Sequence, residues 1–143
     1  MNGKRIGRRA GLLACVGLAA GRTAAARGTT PLRGLYDAAG EAPSVLARGL
    51  DGRRVALRGY PMPVPSHAPG WFVLAETSVA PCQLCGLTHD WPVGVVAVHA
   101  PDAPHIASPY VTVEVEGRLT LAPDPVPDLP GRLVLRDATV AVG

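Results

Sequence analysis

The sequence predicts a mainly β protein, a small closed antiparallel barrel of five or six strands with one short N-terminal helix, made after a cleavable signal peptide. Three observations lead there. From residue 53 onward, apolar segments of strand length recur, several in strict alternation with polar residues. Fifteen prolines and seventeen glycines punctuate the chain too often for long helices. Residues 1–26 differ in character from all that follows, and setting them aside leaves a length suited to one core.

The leader has its three parts in order. Met1 to Arg9 is a basic start, Ala10 to Gly21 an uncharged apolar stretch, and Ala24-Ala25-Ala26 the small residues that signal peptidase requires, so cleavage is expected after Ala26. A permanent membrane span needs about 20 apolar residues, more than this stretch offers. Arg8-Arg9-Ala10-Gly11-Leu12-Leu13 resembles a twin-arginine export signal, although Gly11 stands where a larger apolar residue is usual. Leu12-Leu13-Ala14-Cys15 resembles a lipoprotein signal, but too little apolar sequence precedes the cysteine. The expected location is periplasmic or secreted.

Residues 27–49 read as an N-terminal extension holding the short helix. Thr30 is its cap, Pro31 its first residue, Leu32, Leu35 and Tyr36 its apolar side, and Gly40 its end. Residues 50–143 form the β domain. Arg53 to Tyr60 alternates through Val55 and Leu57, while Trp71 to Glu76 and Val93 to His99 are denser and read as more deeply buried. In Tyr110 to Glu116 the valines 111, 113 and 115 oppose Thr112, Glu114 and Glu116, as a half-buried strand requires. Gly117 is expected to turn the chain, with Arg118 to Leu121 returning. Arg132 to Val142 shifts its apolar phase at Asp137-Ala138, where a bulge is expected. Pro-rich loops at 61–70, 77–92, 100–109 and 122–131 join the segments. Closure removes the edges that an open sheet exposes, and a sandwich is the competing arrangement.

The run Gly52-Arg53-Arg54-Val55-Ala56-Leu57-Arg58-Gly59-Tyr60-Pro61-Met62, then Trp71-Phe72-Val73-Leu74, a cysteine loop, and Val111 to Leu121 resembles an uncharacterised bacterial family of exported OB-like domains. The resemblance covers roughly residues 50–140 and implies an OB-like fold and an exported location. It implies no reaction. The Cys82-x2-Cys85 pair departs from members that place other residues in that loop.

The net charge of +3 is misleading about the domain. Lys4, Arg5, Arg8, Arg9 and Arg22 all lie in the leader, and without them nine basic residues face eleven acidic ones. Phosphate binding of the nucleic-acid kind needs clustered cations, so scattered arginines argue against a nucleic-acid partner. The six aromatics, Tyr36, Tyr60, Trp71, Phe72, Trp91 and Tyr110, mostly fall in or beside strands, where packing explains them. Ser44, Ser66, Ser78 and Ser108 lack a nucleophile-elbow context and no acidic pair stands out, so nothing nominates an enzyme.

One segment carries chemistry: Pro81-Cys82-Gln83-Leu84-Cys85-Gly86-Leu87-Thr88-His89-Asp90. Two thiolates at this spacing chelate one metal through a tight turn, and His89 adds a third donor from the same loop. His99, His105 or Asp90 is the candidate fourth ligand, and Met62 a thioether donor to copper or a core filler. Three chemistries fit: a soft-metal site for zinc or copper, a disulfide closing the short loop, and a thiol-redox centre, which lacks the helix N-terminus that lowers a cysteine pKa. The reading taken forward is an exported envelope binding or accessory module with a zinc or copper site at Cys82, Cys85 and His89, with His99 and His105 beside it. The alternative is a disulfide-stapled module that works with an envelope protein partner such as a transport complex.

Overall fold

The computed structural model describes residues 28–64, 69–80, 91–103, 108–122, 129 and 131–142. Residues 1–26, where a leader and its cleavage are expected, lie outside the described residues.

Five strands close into a barrel: β1 (Arg54–Pro63), β2 (Trp71–Ala75), β3 (Val96–His99), β4 (Val113–Leu121) and β5 (Leu133–Val142). Their order is β1-β2-β3-β5-β4, with β4 closing back on β1, which fits the small closed β-barrel expected. Four seams are antiparallel and the β3–β5 seam is parallel, through Ala97 opposite Val134 and Val98 opposite Leu135. A ring of five strands cannot alternate direction all the way round, so one parallel seam is a condition of closure.

Two local expectations are corrected. Gly117 does not turn the chain: β4 runs through it from Val113 to Leu121. Here Glu116 faces Thr139 and Arg118 faces Arg136, so Gly117 stands opposite both Asp137 and Ala138. This is the bulge expected from the phase slip, with Asp137 taking the positive φ of 49°. A Cβ on Gly117 would sit 2.8 Å from the Arg136 carbonyl oxygen, so the glycine serves close approach of two strands. Likewise Pro61-Met62-Pro63 is not loop but the end of β1. Beyond Gly59, β1 leaves β4 and pairs with β2 alone. Prolines two apart face the same edge, and with no N–H to donate they fit the edge that β4 has vacated.

The N-terminal extension forms two short turns. A 3-10 turn spans Leu32–Leu35, within the expected helix, and α1 (Val45–Gly49) follows a Ser44 cap whose Oγ accepts from the Ala47 N–H at 3.1 Å. Thr30 N–H donates to the Ala56 carbonyl at 2.8 Å, placing the chain beside the first half of β1, where β2 does not reach. Leu32, Leu35, Tyr36 and Ala47 then join the barrel's interior cluster with Leu57, Leu74, Val98, Val115, Leu119 and Leu135. They plug the end of the barrel that carries the β2–β3 and β4–β5 connections, called the lower end below.

A second apolar cluster lies outside the barrel wall. Met62, Val73, Ala97 and Val134 are consecutive register partners across β1, β2, β3 and β5, and each is 0–1 % exposed. Val64, Val79, Trp91 and Ala122, all from connections, pack on this row. The dense apolar runs of β2 and β3 are thus buried on both faces, as the sequence indicated.

Candidate functional site

Of the five predicted metal ligands, Cys82, Cys85 and His89 fall in 81–90 and His105 in 104–107, outside the described residues, as does Asp90. The structure does describe how the cysteine segment is rooted. It belongs to the β2–β3 connection at the lower end, and the residues on either side of it, Val79 and Trp91, both pack half-buried against the outer cluster. Met62, the candidate thioether, is fully buried in that same cluster. It acts there as core.

Trp91 also lines an open groove of about 580 Å³ with Tyr36, Val93, Val95, Leu129 and Arg132. Tyr36 holds its inner end together. Its hydroxyl donates to the Val95 carbonyl at 2.5 Å and accepts from the Arg132 N–H at 3.3 Å, tying the β2–β3 and β4–β5 connections to the N-terminal extension. Burial pushes the phenol pKa above its ordinary value, against the lowering effect of the Arg132 amide. Next in the chain, the Asp37 carboxylate accepts from the Glu41 and Ala42 N–H groups, which lower its pKa.

His99 sits at the other end of β3. It is the register partner of Trp71, and the two rings lie 4.7 Å apart at a 35° tilt. The Arg136 guanidinium carbon lies 5.9 Å from the Trp71 ring centre. His105 follows in the connection leaving that same upper end. Of the predicted ligands, His99 is therefore the one whose place the described residues give, at the upper end of β3. Among the described residues alone, no three His, Cys, Asp or Glu side chains gather as a metal would need.

Reading the sequence missed one feature. Arg54 faces Arg118 across the β1–β4 seam, and Arg118 faces Arg136 across β4–β5, so three arginines far apart in the chain form one row on the barrel's outer surface. Each stands in the outward phase of its strand, which was legible; that they share a row depends on register, which was not.

No known family profile and no curated protein matches this sequence. Among solved structures, the chain resembles a DUF3299 family protein from Pseudomonas aeruginosa, with a TM-score of 0.51 over 82 % of this chain and 97 % of that one, at 15 % identity. At such identity the likeness is one of fold.

Proposed function

We propose that this chain is an exported binding module of the bacterial envelope that holds one soft metal ion, zinc or copper, on Cys82, Cys85 and His89. The observation that carries the reading is a Cys-x2-Cys-x3-His run set between two side chains, Val79 and Trp91, that pack half-buried against an apolar cluster. Anchored stems shorten the free segment that must close around the ion, which lowers the chain entropy lost on binding. Thiolate and imidazole donors together select zinc or copper over hard cations. The fourth donor in this reading is His99 or His105. The leader supports the exported location, and the DUF3299 likeness supports the fold on which the loop is carried.

Elemental analysis of untagged protein from its native compartment tests this. Close to one zinc or copper per chain is expected, lost in the Cys82→Ser/Cys85→Ser double variant. Intact mass before and after alkylation provides the opposing result: a chain two daltons light, with no reactive thiol and no metal, would make the pair a disulfide staple and end the coordination reading.

A further inference from the structure

We propose that the row Arg54, Arg118 and Arg136 is a binding surface for a chain of closely spaced phosphates. Neighbouring strands lie about 4.8 Å apart, so the three side chains start within roughly 10 Å of one another. Like charges directly opposite across a seam destabilise a sheet, so a row of three needs compensation. Arg54 has some, through Glu116 at 3.4 Å, and Arg136 rests over Trp71. The central Arg118, exposed and flanked by a cation on each side, makes no ion pair or side-chain hydrogen bond among the described residues. The nearby acids reduce the row's charge without pairing Arg118: Glu114 faces Arg58 in the β1–β4 register, Glu116 is bonded to Arg54, and Asp137 stands in the bulge next to Arg136.

Three guanidinium forks this close match a ligand with several negative charges in a short length. Phosphates take such forks in pairs of parallel hydrogen bonds, whereas one carboxylate would neutralise only one of the three. The row runs across three of the five strands of a closed barrel, so it curves around the wall. A flexible phosphate chain follows that curve and a flat lipid surface does not. Nor is the row built for nucleotides, because the ring at its end, Trp71, is already engaged by His99 at 4.7 Å and by the Arg136 guanidinium at 5.9 Å.

Calorimetric titration of the full chain at low salt, with inorganic tripolyphosphate as the probe, tests the surface. Tripolyphosphate is expected to bind at least tenfold more tightly than orthophosphate, and Arg118→Gln to weaken it at least tenfold. Arg48→Gln, on α1 at the lower end, is expected to change nothing. Basic residues 4–22 contribute equally to both variants and cannot imitate the Arg118 loss. Absence of tripolyphosphate binding, or equal binding by Arg118→Gln, would overturn the proposal. So would tighter binding of oligothymidylate or of anionic phospholipid vesicles than of tripolyphosphate at equal phosphate.

Discussion

The barrel wall has two unlike halves. Over β2, β3 and the adjoining parts of β1 and β5, the outer surface is apolar and covered, so those strands are buried on both sides. Over β1, β4 and the far half of β5, the outer surface carries the exposed side chains of Arg54, Arg58, Glu114 and Arg118. The same fold thus spends one half of its wall anchoring connections and leaves the other half to meet solvent and charge. The two candidate functions divide along this line. The cysteine connection is rooted in the covered half, and the arginine row crosses the other.

The largest effect that separates the halves comes from placing the same cation outward on each. Val73→Lys sets an ammonium into the covered row, where Val73 is 0 % exposed, and is expected to cost about 4 kcal/mol or more, enough to unfold a domain of ordinary stability. Ala141→Lys, outward on β5 and opposite Glu114, should stay within about 0.5 kcal/mol of the parent in urea titrations. Equal losses at the two positions would erase the distinction. One step down, Met62→Ala in the outer cluster and Leu57→Ala in the barrel interior are each expected to cost about 2–5 kcal/mol. Both side chains are fully buried, so a much smaller loss at Met62 would show that the outer cover is loose.

The contrast between the halves was largely legible before any coordinates. Dense apolar runs announce strands buried twice, rightly for Trp71–Ala75 and Val96–His99 but not for Val93, which precedes β3 and is 75 % exposed, while the Val-Glu alternation of β4 announces a strand buried once. The phase slip at Asp137 correctly located the bulge, because period 2 makes a single inserted residue visible. Its glycine partner was misread. Glycine serves tight turns and close strand approach alike, and only pairing tells Gly117 which it is. Pro61 and Pro63 suggest a loop because proline breaks a ladder, yet which edge of β1 stands vacant is a property of the closed barrel. α1 was overlooked since five residues cannot display a helical period. The cysteine motif is local and therefore readable, whereas the arginine row joins positions 54, 118 and 136 through two registers and could not be.

Tyr36 links the halves at the lower end, and its loss is the next largest effect. Tyr36→Phe leaves the Val95 carbonyl without its donor and the Arg132 N–H without its acceptor, for about 1–3 kcal/mol. The pH dependence adds a second readout. The folded phenol has a raised pKa, so the folded state holds its proton more tightly than the unfolded chain does. The associated stability is complete below about pH 10, the ordinary phenol value, and is lost as pH rises through the folded pKa. Alkaline titration of stability should therefore fall more steeply in the parent than in Tyr36→Phe above pH 10. Parallel curves would mean that the phenol is not held as its burial implies.

The smallest effect concerns how the plug at the lower end is set. The Ser44 hydroxyl caps α1 through the Ala47 N–H and itself donates to the Gly34 carbonyl at 2.7 Å, joining α1 to the 3-10 turn. A five-residue helix has little stability of its own, so cap and packing must hold it. Ser44→Ala is expected to cost about 1 kcal/mol, and Ser44→Asp, which keeps the acceptor but not the donor to Gly34, less than that. The loss should be equal whether or not the outer cluster has been weakened by Met62→Ala, because Ala47 packs into the interior cluster and not the outer one. A double-mutant cycle with coupling beyond about 0.5 kcal/mol would show that plug and cover are one cooperative unit, and that the division of the wall into two halves ends at Tyr36.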